Sequence, residues 1–272
     1  MAAIITLTTD FGLADSYVAA MKGVILSINP AARLVDVSHV IKPQNVRQAA
    51  FVLSTAYKSF PPGTIHLAVV DPGVGTGRRA VILRTPSADF IAPDNGVLSH
   101  IIQPSVTPLE SYGEQVKLGP GLEAVTISNP EFWRLPVSPT FHGRDIFAPV
   151  AAHLSLGRPL TAFGEAINSL TALPVLRPRQ TAEGTISGHI QHIDNFGNLI
   201  TDIRSSDLPR TGQPITIEVG NRRIHGVSST YGEGKELQAL IGSSDFLEVA
   251  WRDGNASVHL NASVGDEVRM RL

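Results

Sequence analysis

The sequence has no cysteine among its 272 residues. Disulfides, thiolate metal sites and cysteine nucleophiles are therefore excluded. Aromatic residues make up only 6% of the chain, and the formal net charge is −2. The chain has neither a basic stripe nor a long apolar run, so we expect no nucleic-acid partner and no membrane association. Its apolar start is short and lacks a basic leader, which predicts a cytoplasmic protein.

Recognisable motifs for metal binding and for serine nucleophiles are also missing. The sequence has no His-Glu-x-x-His pattern and no Gly-x-Ser-x-Gly elbow. We therefore expect no metal site and no cofactor. A hydrolase without either feature would favour a substrate that already carries a good leaving group.

Strand-like and helix-like patterns alternate through the first half of the chain. The predicted elements are strand 3–8, helix 16–28, strand 33–38, helix 45–60, strand 64–70, strands 80–85 and 90–92, and helix 146–156. This alternation predicts an α/β domain with a doubly wound, mostly parallel sheet. Asp145 is the expected N-cap of the last helix.

The pattern changes after a proline-containing stretch. From residue 184 onward, short alternating strands are separated by turn signals, which predicts an all-β, barrel-like domain. We therefore predict an α/β ligand-binding and catalytic domain over 1–170, a linker over 171–183, and a β-barrel domain over 184–272 that completes the site.

Two acidic residues follow predicted parallel strands, where open α/β sheets bind ligands. Asp10 follows the first strand, and Asp71 follows the third and opens a glycine-rich segment that leads to Arg78. The segment fits neither a Walker loop nor a dinucleotide fingerprint. Each Asp taken alone could equally cap a loop.

Further candidates lie in loops. His142 comes just before a predicted helix, where a polar ligand could dock, although a lone loop histidine is more often merely exposed. Asp194 and Asn198 lie between two strands of the second half, in a sequence that also fits a simple turn. Asn95 belongs to an Asp-Asn-Gly sequence that is a structural turn by default.

Five motifs occur together in order: Thr8-Thr-Asp-Phe-Gly12, Asp71-Pro-Gly-Val-Gly-Thr76 with Arg78, Ala92-Pro-Asp-Asn-Gly96, Thr140-Phe-His-Gly-Arg-Asp145 and Ile193-Asp-Asn-Phe-Gly-Asn198. In this register the chain resembles the S-adenosylmethionine hydroxide adenosyltransferase family, which is related to fluorinases and chlorinases. The resemblance implies hydrolysis of S-adenosylmethionine to adenosine and methionine by attack of water at C5′. It also implies a homotrimer with ligand sites between subunits.

The resemblance assigns roles to individual residues. The nucleophilic water is assigned to Asp71, Arg78 and His142, with the proton acceptor left open between Asp71 and His142. The expected substrate contacts are Asp10 for the ribose diol, Asp194 for the methionine amine, and Phe141, Phe196, Asn198, Ser243, Ser244 and Asn95.

Departures from the halogenases bear on the choice of nucleophile. Halogenases carry Tyr where this chain has Asp71, and a carboxylate there would repel a halide but can accept a proton from water. Fluorinases have Ser where this chain has Gly143, and halogenases have Arg where it has Ser244, so the anchor for the substrate carboxylate is open. The alternatives are a chlorinase-type halogenase, a non-catalytic sensor of adenosine or S-adenosylmethionine, and an unrelated metal-dependent nucleotide hydrolase.

Overall fold

The computed structural model describes residues 2–102, 113–181, 184–209, 214–233 and 236–271. By its internal contacts the chain divides into two compact units, Met1–Val175 and Leu176–Leu272. Within the described ranges, no helix has the length and apolar character needed to cross a membrane.

Among the described residues of the first unit, nine strands form the sheets. They are β1 Ile4–Thr9, β2 Arg33–Ser38, β3 Thr64–Val69, β4 Ala80–Arg84, β5 Ala88–Pro93, β6 Glu114–Lys117, β7 Glu123–Thr126, β8 Ala166–Ile167 and β9 Ser169–Ala172. The main sheet has the order β2-β1-β3-β5-β4-β7-β8, and β6 pairs with β9 separately. Four neighbouring strands, β2, β1, β3 and β5, run parallel, and the other three extend the sheet in antiparallel fashion.

Helices cover both faces of this sheet. They are α1 Tyr17–Ile28, α2 Val46–Ala56, α3 Ser99–Ile102 and α4 Ala148–Ser155. Met21 and Ile25 of α1 share one apolar core with α4, whereas Ala49 and Leu53 of α2 belong to the core on the opposite face with α3. The α2 helix starts where the Asn45 side chain accepts a hydrogen bond from the third helical N–H. The predicted doubly wound α/β fold class is confirmed.

The order of the strands creates a crevice. The chain passes from β1 through α1 to β2 on one side, and then through α2 to β3 on the other side of β1. The carboxyl ends of β1 and β3 therefore diverge at a topological switch point, where open α/β sheets hold their ligands. Asp10 comes directly after β1, and Asp71 lies two residues beyond the end of β3.

The second unit is an antiparallel sheet. Its elements are β10 Arg179–Gln180, β11 Ile186–Ile193, β12 Leu199–Arg204, β13 Thr216–Val219, β14 Arg222–His225, β15 Leu237–Ile241, β16 Phe246–Trp251, α5 Ala256–Leu260 and β17 Glu267–Arg271. The strand order is β14-β13-β17-β11-β12-β16-β15. A bridge from Ser228, just after β14, to Leu240 of β15 brings the two edge strands together. The sheet is therefore almost closed, and the predicted barrel-like all-β fold is confirmed.

The interior of this barrel is apolar because alternate side chains of each strand point inward. Ile190, Leu199, Ile217 and Met270 are fully buried within one cluster. A tight hairpin at Gly220 joins β13 and β14, which pair with each other in antiparallel register. The last strand, β17, ends at Arg271, and Leu272 lies outside the described residues.

Candidate active site

Asp71 and Arg78 form a two-pronged ion pair at the carboxyl end of β3. Arg78 Nε donates to both carboxylate oxygens at 2.9 Å, and Arg78 Nη2 donates to Asp71 Oδ2. The two side chains are only 5% and 12% exposed. Two aligned hydrogen bonds between charged groups fix both orientation and distance, so this pair is rigid.

The glycine-rich segment between these residues follows a path that requires glycine. Gly75 has φ of +77°, and a Cβ at this position would lie 2.5 Å from the carbonyl oxygen of Pro139. The segment is therefore pressed against the loop that carries His142. Glycine at position 75 allows the two loops to meet.

His142 joins the ion pair through its ring. Arg78 Nη2 lies 3.0 Å from His142 Nδ1. Because a guanidinium can only donate, Nδ1 accepts this bond, and a neutral His142 must carry its proton on Nε2. Burial lowers the pKa of His142, and the Arg78 charge lowers it further, against smaller opposing effects of Asp71 and Asp145. His142 is therefore a neutral ring at neutral pH, with Nε2–H as its donor.

Asp145 holds the His142 loop in place, and the prediction that it caps a helix is wrong. A π-helical turn, Gly143–Phe147, precedes α4, and Asp145 lies inside that turn with no exposed side-chain surface. Its carboxylate accepts from Arg144 Nε at 2.7 Å, Arg134 Nη1 at 3.1 Å and the Ser138 N–H at 2.9 Å. Burial raises the pKa of Asp145, but these hydrogen bonds outweigh burial and hold it below its usual value. Because Arg134 and Arg144 both bind its carboxylate, Asp145 stabilises this loop instead of capping a helix.

Asp10 lies at the carboxyl end of β1, the strand next to β3. It is half-buried, and its Oδ2 accepts a hydrogen bond from the Gln44 N–H at 2.7 Å. Gln44 adopts a left-handed backbone conformation, with φ of 65°, which is unusual for a residue other than glycine. This backbone donor fixes one carboxylate oxygen of Asp10.

A cavity of about 370 Å³ brings these residues together. Asp10, Asp71 and His142 line it, together with an aromatic wall. The ring of Phe141 lies 5.8 Å from that of Phe11 and 5.1 Å from that of Tyr17. The volume falls in the range of small-molecule sites.

Gly143 lets the aromatic wall approach its loop closely. A Cβ at this position would lie 3.2 Å from both Met21 Sδ and the ring of Phe11. Position 143 is where the resemblance implies Ser in fluorinases and this chain has Gly. The structure indicates that any larger side chain must displace one of these neighbours.

The second unit contains the loop with Asp194. Asp194 Oδ1 accepts from the N–H groups of Phe196 and Asn198 at 2.9 and 2.8 Å, and Oδ2 accepts from Asn198 Nδ2 at 2.9 Å. The carboxylate thus shapes its own turn, as the simple turn alternative predicts. The loop also presents Phe196, which is 75% exposed, to its surroundings.

Glu248 and Tyr231 are polar residues near Asp194 that the sequence analysis did not single out. The Tyr231 hydroxyl donates to Glu248 Oε2 at 2.7 Å, and Glu248 is only 5% exposed. Burial raises the pKa of Glu248, and the Asp194 charge raises it further, against the Tyr231 bond. The sequence feature that could have identified Glu248 is a glutamate within the otherwise apolar strand Phe246–Trp251.

The remaining predicted contacts belong to turns. Ser243 is exposed and Ser244 half-buried in the turn between β15 and β16. Asn95 Nδ2 donates to the Val70 carbonyl at 2.8 Å, and its Oδ1 accepts from the Val97 N–H at 3.2 Å. Asn95 therefore fixes the residue that precedes Asp71.

No set of three or more histidine or carboxylate side chains is arranged to hold a metal ion in the part of the chain that the structure describes. Of the predicted reacting residues, Asp71 and His142 line one cavity together with Asp10. Arg78 does not line this cavity, but it is hydrogen-bonded to both Asp71 and His142.

Two family models match this chain, one in each of its two units. The model of the SAM hydroxide adenosyltransferase N-terminal domain matches residues 5–164, and that of the C-terminal domain matches residues 188–269. The chain is 38% identical over 271 residues to a protein of Salinispora tropica named (R)-S-adenosyl-L-methionine hydrolase, covering 98% of this chain and 97% of that protein. It is 32% identical over 235 residues to a fluorinase of an Actinoplanes species, covering 77% and 74%. A crystal structure of an uncharacterized conserved protein from Thermotoga maritima superposes with a TM-score of 0.86 at 36% identity, covering 98% of this chain and all of that one.

Proposed function

The chain belongs to the SAM hydroxide adenosyltransferase family, and on this basis we propose that it hydrolyses S-adenosyl-L-methionine to adenosine and L-methionine. The observation that carries the proposal is the cluster of Asp71, Arg78 and His142 at the switch-point cavity. It occurs in a chain that aligns almost end to end with a protein named (R)-S-adenosyl-L-methionine hydrolase.

In the hydrolysis of S-adenosylmethionine, the protein does not have to stabilise a charge on the leaving group. The oxygen of water bonds to C5′ while the C5′–S bond breaks, and its electron pair stays on sulfur. Methionine leaves as a neutral thioether because the substrate is a sulfonium. One proton of the attacking water is released, so the protein must place that water and receive its proton.

The hydrogen bonds of the site indicate which residue orients the water and which residue accepts its proton. His142 Nδ1 accepts from Arg78, so its Nε2–H is available to donate to the water oxygen and orient it. Asp71 then accepts the proton, because its carboxylate is the acceptor among the three groups. Arg78 holds Asp71 in one orientation and balances its charge.

Substrate contacts complete the proposal. Asp10 receives the ribose diol, and Asp194 meets the methionine amine. The further contacts are Phe141, Phe196, Asn198, Ser243 and Ser244, while Asn95 contributes by fixing Val70 ahead of Asp71. The name of the relatives specifies the R configuration at sulfur, and we extend this preference to the present chain.

The family resemblance also implies an assembly. We propose a homotrimer in which the second unit of one subunit completes the site of the next. The mass of the protein in solution, measured by light scattering, tests this directly. A monomer at assay concentration that still turns over substrate would rule it out.

The test of the function is turnover by the purified protein. A mixture of R and S epimers of S-adenosylmethionine should yield adenosine and methionine in equal amounts, with the R epimer consumed first. Asp71→Asn should lower kcat by about 10²- to 10⁴-fold, the usual contribution of a general base, and leave the Kd for adenosine within a few fold.

Asp89→Asn is the matched control. Asp89 of β5 forms a similar two-pronged ion pair with Arg84 of β4, in which Arg84 Nε and Nη2 each donate to one carboxylate oxygen at 2.8 Å. Asp89 does not line the cavity. This variant should keep full turnover. If Asp71→Asn instead reduced adenosine binding as much as turnover, Asp71 would be a binding residue, as a sensor requires.

A further inference from the structure

His39 lies directly behind the Asp10 loop and is unused by the mechanism above. It follows β2, is only 4% exposed, and contacts Thr9, the residue before Asp10. We propose that His39 is a positioning residue that sets Asp10 for the ribose diol. This inference rests on the proposed function, because it takes from it the role of Asp10.

A chain of polar contacts runs from the surface to the Asp10 loop. Lys22 Nζ donates to Asp36 Oδ2 at 2.6 Å, and Asp36 Oδ1 lies 3.0 Å from His39 Nε2. His39 Nδ1 lies 2.8 Å from the hydroxyl of Thr9. The inner part of this chain is buried, with no exposed surface on Thr9.

The Thr9 hydroxyl takes part in two hydrogen bonds: its oxygen accepts from the Phe11 N–H at 3.3 Å, and it pairs with His39 Nδ1 at 2.8 Å. The Asp36 carboxylate can only accept, and its Oδ1 lies 3.0 Å from His39 Nε2, which favours the tautomer with the proton on Nε2. In that tautomer Nδ1 accepts from the Thr9 hydroxyl. Asp36 faces Nε2 at ion-pair distance without an aligned hydrogen bond, so the Thr9 bond is the hydrogen bond that orients the ring.

His39 holds the Asp10 loop at two points. Its side chain binds Thr9, and its carbonyl oxygen accepts from the Gly12 N–H at 2.7 Å. Gly12 has φ of +69°, so the chain turns sharply there. Asp10 lies between these two anchored residues. The parallel pairing of β1 and β2 is irregular just before Thr8, and such irregularities commonly redirect side chains beside active sites.

The same sheet supplies a matched control in His66. Its Nδ1 also lies 2.8 Å from a threonine hydroxyl, that of Thr6, and His66 is fully buried. Its ring stacks on Phe90 in the middle of the sheet, at 5.1 Å between centroids. His66 therefore provides the same buried His–Thr pair at a position away from the loop that carries Asp10.

The experiment measures how strongly the protein distinguishes a ribose diol. Binding of adenosine and of 2′,3′-dideoxyadenosine is measured by calorimetry for the wild type, Asp10→Ala, His39→Leu, His39→Gln and His66→Leu. The wild type should favour adenosine by about 10²-fold, as hydrogen bonds to a charged group allow, and Asp10→Ala should abolish this preference.

His39→Leu should reduce the preference at least about fivefold, since the side-chain anchor on Thr9, next to Asp10, is lost while the backbone bonds to Gly12 and from Gln44 remain. His39→Gln should keep part of it, because its amide can still bond to Thr9, and it also serves if the Leu variant does not fold. His66→Leu should lower stability and leave the preference unchanged. In turnover assays the His39 variants should raise KM more than they lower kcat.

Two results would overturn the inference, and they are distinguishable. If the His39 variants bind both nucleosides more weakly by the same factor, His39 is only structural, while the role of Asp10 stands. If the wild type shows no preference for the diol, or Asp10→Ala leaves the preference unchanged, the ribose role of Asp10 in the proposed function fails and this inference fails with it.

Discussion

Acid should destabilise the first unit through His66, a buried histidine that must stay neutral in the folded state. The ring has no exposed surface, and within the described residues its Nε2 has no hydrogen-bond partner. Burial lowers the pKa of His66 from 6.5 to about 4. The perturbation is a fall in pH, compared between the wild type and a double variant, Thr6→Val with His66→Leu, that replaces the polar pair with apolar side chains of similar size.

The sign and size follow from proton linkage. The pKa is lower in the folded state, so between about pH 6.5 and pH 4 the unfolded state binds the proton more tightly. The stability associated with neutral His66 is therefore fully present above about pH 6.5 and is lost as the pH falls through about 4. One pKa unit corresponds to about 1.4 kcal/mol, which gives a total loss of about 3 kcal/mol, of which about 2 kcal/mol is already lost at about pH 5.

Urea unfolding at about pH 5 and pH 7 measures this loss. The chain has two tryptophans, at positions 133 and 251, so a Trp251→Phe background leaves Trp133 to report on the first unit. Other groups titrate in both proteins and cancel in the comparison. The wild type should lose about 2 kcal/mol more than the double variant between the two pH values. Parallel pH dependences in the two proteins would refute the assignment to His66.

Two other predictions concern glycines of the site. Gly75→Ala should destabilise the protein by about 1 to 3 kcal/mol, because it combines φ of +77° with a contact to the Pro139 carbonyl, whereas Gly77→Ala, with no neighbour within 4 Å, should change thermal stability little. Equal melting temperatures for the two variants would contradict the close approach of the loops. Gly143→Ala should cost about 1 kcal/mol of stability and weaken adenosine binding, because it displaces the ring of Phe11 or its neighbour. If Gly143→Ala bound adenosine as tightly as the wild type in calorimetry, the aromatic side chains would have moved without any effect on binding, and the prediction would be wrong.

Much of the first unit could be predicted from sequence because its elements have strong periodic patterns. The strand Arg33–Ser38 was predicted with the observed bounds, and α1 Tyr17–Ile28 differs by one residue from the prediction. The positions of Asp10 and Asp71 at the crevice follow from the same pattern, since residues after parallel strands share one edge of the sheet.

Other features depend on contacts that no local pattern records. Strands Glu114–Lys117 and Ser169–Ala172 pair with each other across more than fifty residues, and both are short and partly polar. Asp145 fits an N-cap by its place before an apolar stretch, yet distant Arg134 also reaches its carboxylate. The residue is therefore buried inside a turn.

The site shows the same division. Asp71 and Arg78 are seven residues apart within one loop, so their proximity could be predicted from the sequence. The tautomer of His142 could not be predicted, because it depends on which ring nitrogen faces Arg78. His39 and Thr9 meet only because β1 and β2 are neighbours in parallel register.

The origin of the new hydroxyl group tests the central claim most directly. The purified protein is incubated with S-adenosylmethionine in water labelled with heavy oxygen, and both products are analysed by mass spectrometry. Attack of water at C5′ predicts the label in the 5′-hydroxyl of adenosine and none in methionine. Unlabelled adenosine, or no adenosine above the spontaneous background, would contradict the account.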